Sequence, residues 1–256
     1  MREIIRKVPI PTAGVALGLA ALGNLLQPYT EIVHIVCGIL SLVLIAMLGA
    51  KIALFPDMIR DDLHNSIMAS VSATLFMTLM QLAGYLAPFA YIPAFALWSA
   101  AVVAHLALMG WFTARFISHF KLHEVFPTYF ICYVGIVVAS VTSPTFGMEA
   151  VGHLLFWFGF ACYVVLLGLV TYRYMKHEIP ESARPLFCIY TAPMSLSLVG
   201  YLATAPQPNL VFVLAMLVLA QVLFAVVLSR LPVLLRLRFY PSYAAMTFPF
   251  VITATA

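Results

Sequence analysis

Apolar stretches long enough to cross a lipid bilayer recur eight times along this chain of 256 residues, and a ninth has begun where the sequence stops. A hydrocarbon core about 30 Å thick takes roughly 20 apolar residues per helix. The stretches run approximately 9–27, 31–55, 66–87, 91–117, 128–143, 150–175, 185–204, 208–234 and 241–256, and no linker between them could form a soluble domain. With 64% hydrophobic and 9% charged residues, the chain has too little polar surface to wrap a water-soluble core. Lipid must be its solvent. The sequence therefore predicts an all-α membrane protein with one transmembrane domain over 1–256.

The charges are sorted by loop. If the N-terminus is inside, Arg2, Arg6 and Lys7 precede the first span, Lys51 and Arg60 flank the second loop, and Arg115 and Lys121 the fourth; Arg173, Lys176 and Arg184 follow the sixth span, and Arg230, Arg236 and Arg238 the eighth. All 13 basic residues then fall on one side, while the opposite loops carry only Glu31 and Glu149. This positive-inside pattern predicts a multi-pass protein of the plasma (inner) membrane with a cytoplasmic N-terminus. A missed or invented helix would scramble it. The net charge of +4 thus belongs to membrane topology and not to nucleic-acid binding. The first stretch follows basic residues as a signal peptide would, but it lacks a convincing cleavage site and reads as the first span. Cys37, Cys132, Cys162 and Cys188 lie within apolar segments without paired or metal-type spacing, so neither disulfides nor thiolate metal sites are expected.

The chain also repeats. Odd-numbered spans begin near Pro9, Asn65, Pro127, Pro185 and Pro241, at spacings of 56, 62, 58 and 56 residues, so each unit is a helical hairpin. Odd spans carry small and hydroxylated residues, and even spans are mostly Leu, Val, Ile and Ala. Lipid accepts hydroxyls only where they find partners or water. Odd helices are therefore expected inside and even helices outside. Pore-lining candidates are Thr12, Gly14, Ser70, Thr74, Gly135, Thr191, Ser195 and Thr247; the competing interpretation is that small residues merely let these helices pack tightly. Pro193 and Pro249 read as mid-helix kinks that leave the carbonyls of Ile189 and Ala245 short of a partner. A neutral kink relieved by Thr191 or Thr247 is the alternative for each.

No Asp, Glu, Lys, Arg or His lies in the middle of an odd span, where coupled carriers commonly place one. This favours a channel or uniporter whose selectivity rests on diameter, hydroxyls and backbone dipoles. His34, His105 and His153 fall in three different even spans, and only His105 is near mid-membrane. Ordinary hydrogen-bonded histidines are expected there. No hydrolase, nucleotide-binding or metalloprotease fingerprint is present, so no catalytic residue, metal or cofactor is assigned.

Several strings resemble the tellurite-resistance/dicarboxylate transporter family, which includes the bacterial TehA proteins, yeast malate permeases and plant slow-type guard-cell anion channels. They are Pro9-Ile10-Pro11-Thr12-Ala13-Gly14 with Gly18, Phe126-Pro127-Thr128, Ala192-Pro193, and Tyr243-Ala244-Ala245-Met246-Thr247-Phe248-Pro249. The resemblance covers essentially the whole chain. It implies ten helices in five hairpins, with odd helices around a central pore and even ones outside, often in trimers. It also implies that Phe248 plugs the pore beside Pro249; a packing or lipid-facing phenylalanine is the alternative. Because the sequence stops at Ala256 within the ninth span without a polar stop, it reads as truncated, with the tenth helix absent and a gap in the outer wall. The function expected is movement of a small anion, by a channel or by a dicarboxylate or organic-anion uniporter. A proton-coupled dicarboxylate carrier is the alternative within transport, and a membrane-embedded haem or metal enzyme using His105 the alternative of another class.

Overall fold

A computed structural model of the chain describes residues 2–256, and they form helices joined by short turns. A short helix α1 (Arg2–Arg6) leads into α2 (Thr12–Leu26), which pairs with the long α3 (Glu31–Leu54). After α4 (Pro56–Asp62), the next inner segment is split into α5 (Ser66–Val71) and α6 (Ala73–Leu86), and α7 (Tyr91–Phe112) packs beside it, ending in a π turn over Thr113–Ile117. The third hairpin joins α8 (Thr128–Tyr133) and α9 (Val137–Thr142) to α10 (Glu149–Lys176). A 3-10 segment over Glu181–Thr191 runs into α11 (Ala192–Thr204), followed by α12 (Leu210–Leu234), and a last 3-10 segment over Pro241–Met246 runs into α13 (Phe248–Thr255).

Among the described residues six segments are long and apolar enough to cross a membrane: Glu31–Leu54, Ser66–Leu86, Tyr91–Ile117, Glu149–Lys176, Glu181–Thr204 and Leu210–Leu234. Their burial separates two layers. The apolar windows of Ser66–Leu86 and Glu181–Thr204 are 61% and 78% buried, against 33% in each of the first three even helices and 17% in Leu210–Leu234. The even helices instead expose broad apolar faces, such as Ile32, Ile35 and Ile39 on α3 or Val211, Val218 and Val222 on α12, the composition lipid rewards.

The inner layer is held by hydroxyls that donate across helix boundaries. Ser41 Oγ donates to the Ala16 carbonyl at 2.8 Å, Thr78 Oγ1 to Ala13 at 3.1 Å, and Ser140 Oγ to Gly152 at 2.7 Å. Thr247 Oγ1 donates to Gly14 at 3.0 Å, closing the last inner segment against the first. The local sequence also fixes where elements start: the Asn65 side chain accepts from the backbone N–H groups of Ile67 and Met68 at the head of α5.

The prolines act differently from the kinks expected of them. Pro193 and Pro249 are not mid-helix; each sits in the first turn of a fresh α-helix that follows a 3-10 segment. There a missing N–H costs nothing, because the first helical donors have no intrahelical partner anyway. The Ile189 carbonyl is not orphaned either, since it accepts from Ala192 N–H. The change from 3-10 to α geometry lies at Thr191–Ala192 and at Thr247–Phe248, the second with Thr247 outside helical geometry at φ −87°, ψ −90°. Comparable breaks interrupt the second and third inner segments, at Ser72 and at Val134–Ile136, where the N–H groups of Val134 and Gly135 both reach the Phe130 carbonyl, while α2 is continuous.

Candidate functional site

The breaks gather around one cavity of about 250 Å³. Its wall is built from Pro11, Gly14 and Leu17 at the first inner segment, Met68, Thr74 and Met77 at the second, and Phe130, Val134 and Gly135 at the third. Leu186, Ile189, Ala192, Pro193 and Leu196 come from the fourth, and Ala244, Ala245, Phe248 and Pro249 from the fifth. All five inner segments contribute, and among the described residues none of the outer helices α3, α7, α10 or α12 does. The wall extends to the ends of the inner segments at Asn65, Ser182 and Tyr240–Ser242, and it contains no Asp, Glu, Lys, Arg or His.

Of the residues singled out from sequence, Gly14, Thr74, Gly135, Pro193, Phe248 and Pro249 stand in this wall. Thr12, Ser70, Thr191, Ser195 and Thr247 do not. Thr12 is half-buried at the head of α2. The other four turn their hydroxyls onto carbonyls one turn back or onto a neighbouring helix. Ser70 donates to Ser66 and Ile67, Thr191 to Cys188, Ser195 to Thr191 and to Thr253 Oγ1, and Thr247 to Gly14 and Ala244. Even Thr74, which does line the wall, gives its hydroxyl to the Val71 carbonyl at 2.7 Å. Much of the wall is therefore Met, Val, Leu, Ile and Ala, residues that nothing in the sequence separated from lipid-facing ones.

Phe248 is 5% exposed and opens α13 at the wall of the cavity. Its backbone is pressed against α2: a Cβ added at Gly18 would lie 2.7 Å from Thr247 Cβ and 2.8 Å from Phe248 N. Only a glycine allows that approach.

The histidines are engaged elsewhere. His105 is fully buried on α7, with Nε2 2.9 Å from the Cys132 carbonyl of α8. His34 stacks on Tyr85 at 4.0 Å, and His153 Nε2 accepts from Trp157 Nε1 at 3.0 Å. Among the described residues no group of three or more His, Cys, Asp or Glu side chains converges as a metal ligand set.

A family model described as voltage-dependent anion channel (SLAC1) matches residues 7–256. The chain belongs to the SLAC1 family. A search of curated proteins finds no match. Membership in the SLAC1 family, the same grouping as the tellurite-resistance/dicarboxylate transporters, makes this a multi-pass membrane protein of an anion-transporting family, a family of channels and transporters rather than enzymes.

Proposed function

We propose that the protein conducts a small anion along the axis of its inner segments, through the uncharged cavity, with Phe248 as the gate. The observation that carries this reading is the composition of the cavity wall: every inner segment and no outer helix lines it, and a phenyl ring stands at the junction where the last inner segment changes from 3-10 to α geometry. A ring in a narrow apolar tube stops ions by size and by keeping water out. In this reading the protein lies in the plasma (inner) membrane with its N-terminus in the cytoplasm, the side to which all 13 basic residues sort. Assembly as a homotrimer rests on family resemblance alone.

The same wall bears on the substrate. With no fixed cation in the wall to touch the ion, a doubly charged dicarboxylate is disfavoured more strongly than a singly charged anion, because the cost of leaving water rises steeply with charge. It bears on coupling too, since a proton-coupled carrier needs a titratable group on the path. Phe248→Ala is expected to raise anion current severalfold in oocytes or planar bilayers; unchanged current from a variant that folds and reaches the membrane counts against the gate. In proteoliposomes, anion flux is expected without a pH gradient, and stoichiometric proton movement would favour the coupled carrier instead.

A further inference from the structure

A wall without charge does not by itself tell an anion from a cation, so the discrimination must arise elsewhere. Among the described residues the buried charged side chains are two cations and no carboxylate: Lys51, 4% exposed, and Arg173, 2% exposed. They occupy equivalent places, each three residues before the end of an outer helix, α3 and α10, on the side to which the basic residues sort. A cation near a helix C-terminus is stabilised by the helix dipole. That effect is available to an exposed side chain and does not require burial, which is costly for a charge without a partner.

Among the described residues neither cation has a buried counter-charge. The Arg173 guanidinium lies 4.3 Å from the Phe126 ring and 5.7 Å from the Tyr174 ring, and its donors reach only the carbonyls of His123 and His177, at 3.3 and 3.5 Å. Its buried Nε has no partner, and among the described residues no Asp or Glu lies within 4 Å of it. Lys51 Nζ donates to the Val8 carbonyl at 2.7 Å and lies 3.7 Å from Asp62, whose carboxylate is 40% exposed and so partly screened by water.

Both sit one layer behind the cavity. Lys51 lines a neighbouring pocket that shares Met68 with the central wall, and the connecting segment it holds at Val8 continues to Pro11 of that wall. Arg173 packs on Phe126, just ahead of α8, whose Phe130 and Ile131 line the cavity. Charges buried in protein act over longer distances than charges in water, because little intervenes to screen them.

We propose that Lys51 and Arg173 set the preference of this path for anions over cations, acting through the protein on an ion that touches neither. The inference rests on the proposed path. It is tested by reversal potentials of the purified full chain in planar bilayers under a potassium chloride gradient. Lys51→Met and Arg173→Gln are each expected to lower the chloride-to-potassium permeability ratio severalfold, and Arg173→Lys to leave it near wild type. Asp62→Asn, a change at an exposed carboxylate, is expected to raise it by unmasking Lys51. Should Arg173→Gln fail to fold, Lys51→Met and Asp62→Asn still carry the test through their opposite signs. Chloride current with reversal potentials unmoved in these variants would overturn this inference alone, whereas no chloride current from either the wild-type protein or Phe248→Ala would overturn the path itself.

Discussion

Behind the cavity wall Gly18 lies against Thr247 and the backbone N of Phe248, with no room for a methyl group. Gly18→Val is expected to destabilise the protein by about 1–3 kcal/mol, the usual cost of overpacking, read as a lower melting temperature in detergent. Gly84→Ala, where an added Cβ meets nothing within 4 Å, is the contrast and is expected to stay within about 0.5 kcal/mol of wild type. His105 is the other decisive residue. Its ring joins outer α7 to inner α8 through the Cys132 carbonyl, so His105→Ala removes a buried ring and strands a carbonyl. The expected loss is about 2–4 kcal/mol. An optical spectrum and metal analysis of the purified protein showing stoichiometric haem or metal would return His105 to the position of a ligand.

At the scale of elements, the hairpin period and the alternation of small and bulky helices were legible because they are written in residue types: Ser, Thr and Gly in α5, α6 and α11, Leu and Val in α12. The wall of the cavity was not. Met68, Val134 and Leu196 face the interior, while Leu214 and Val218 face lipid, and nothing in the identity of an apolar residue states which. The hydroxyls drew attention to the inner segments correctly but misdirected the choice of lining residues, because in a low-dielectric interior Thr191, Ser195 and Thr247 satisfy themselves on carbonyls. Pro193 and Pro249 marked real changes of helix geometry, although proline alone does not distinguish a kink from a new helix start. Since Pro249 occupies a first-turn position, Pro249→Ala is expected to cost less than about 1 kcal/mol. Leu219→Pro, in the middle of α12, is expected to cost about 3 kcal/mol or more. Thermal melting of the two variants separates these outcomes.

The whole molecule is a broken, hydroxyl-bonded inner layer inside continuous greasy helices, and the cavity exists because the inner segments change geometry around it. The SLAC1 family assigns anion transport to this architecture, and the central claim is that the ion moves between the inner segments. The direct test replaces Cys37, Cys132, Cys162 and Cys188, places a single cysteine at Leu196 of the cavity wall or at Val218 of the lipid face, and applies a negatively charged thiol reagent from the cytoplasmic side during current recording. Leu196→Cys is expected to lose its anion current on modification while Val218→Cys keeps it; a Leu196→Cys channel that the reagent modifies, as mass spectrometry reports, without any change in current would contradict a conducting path at the axis.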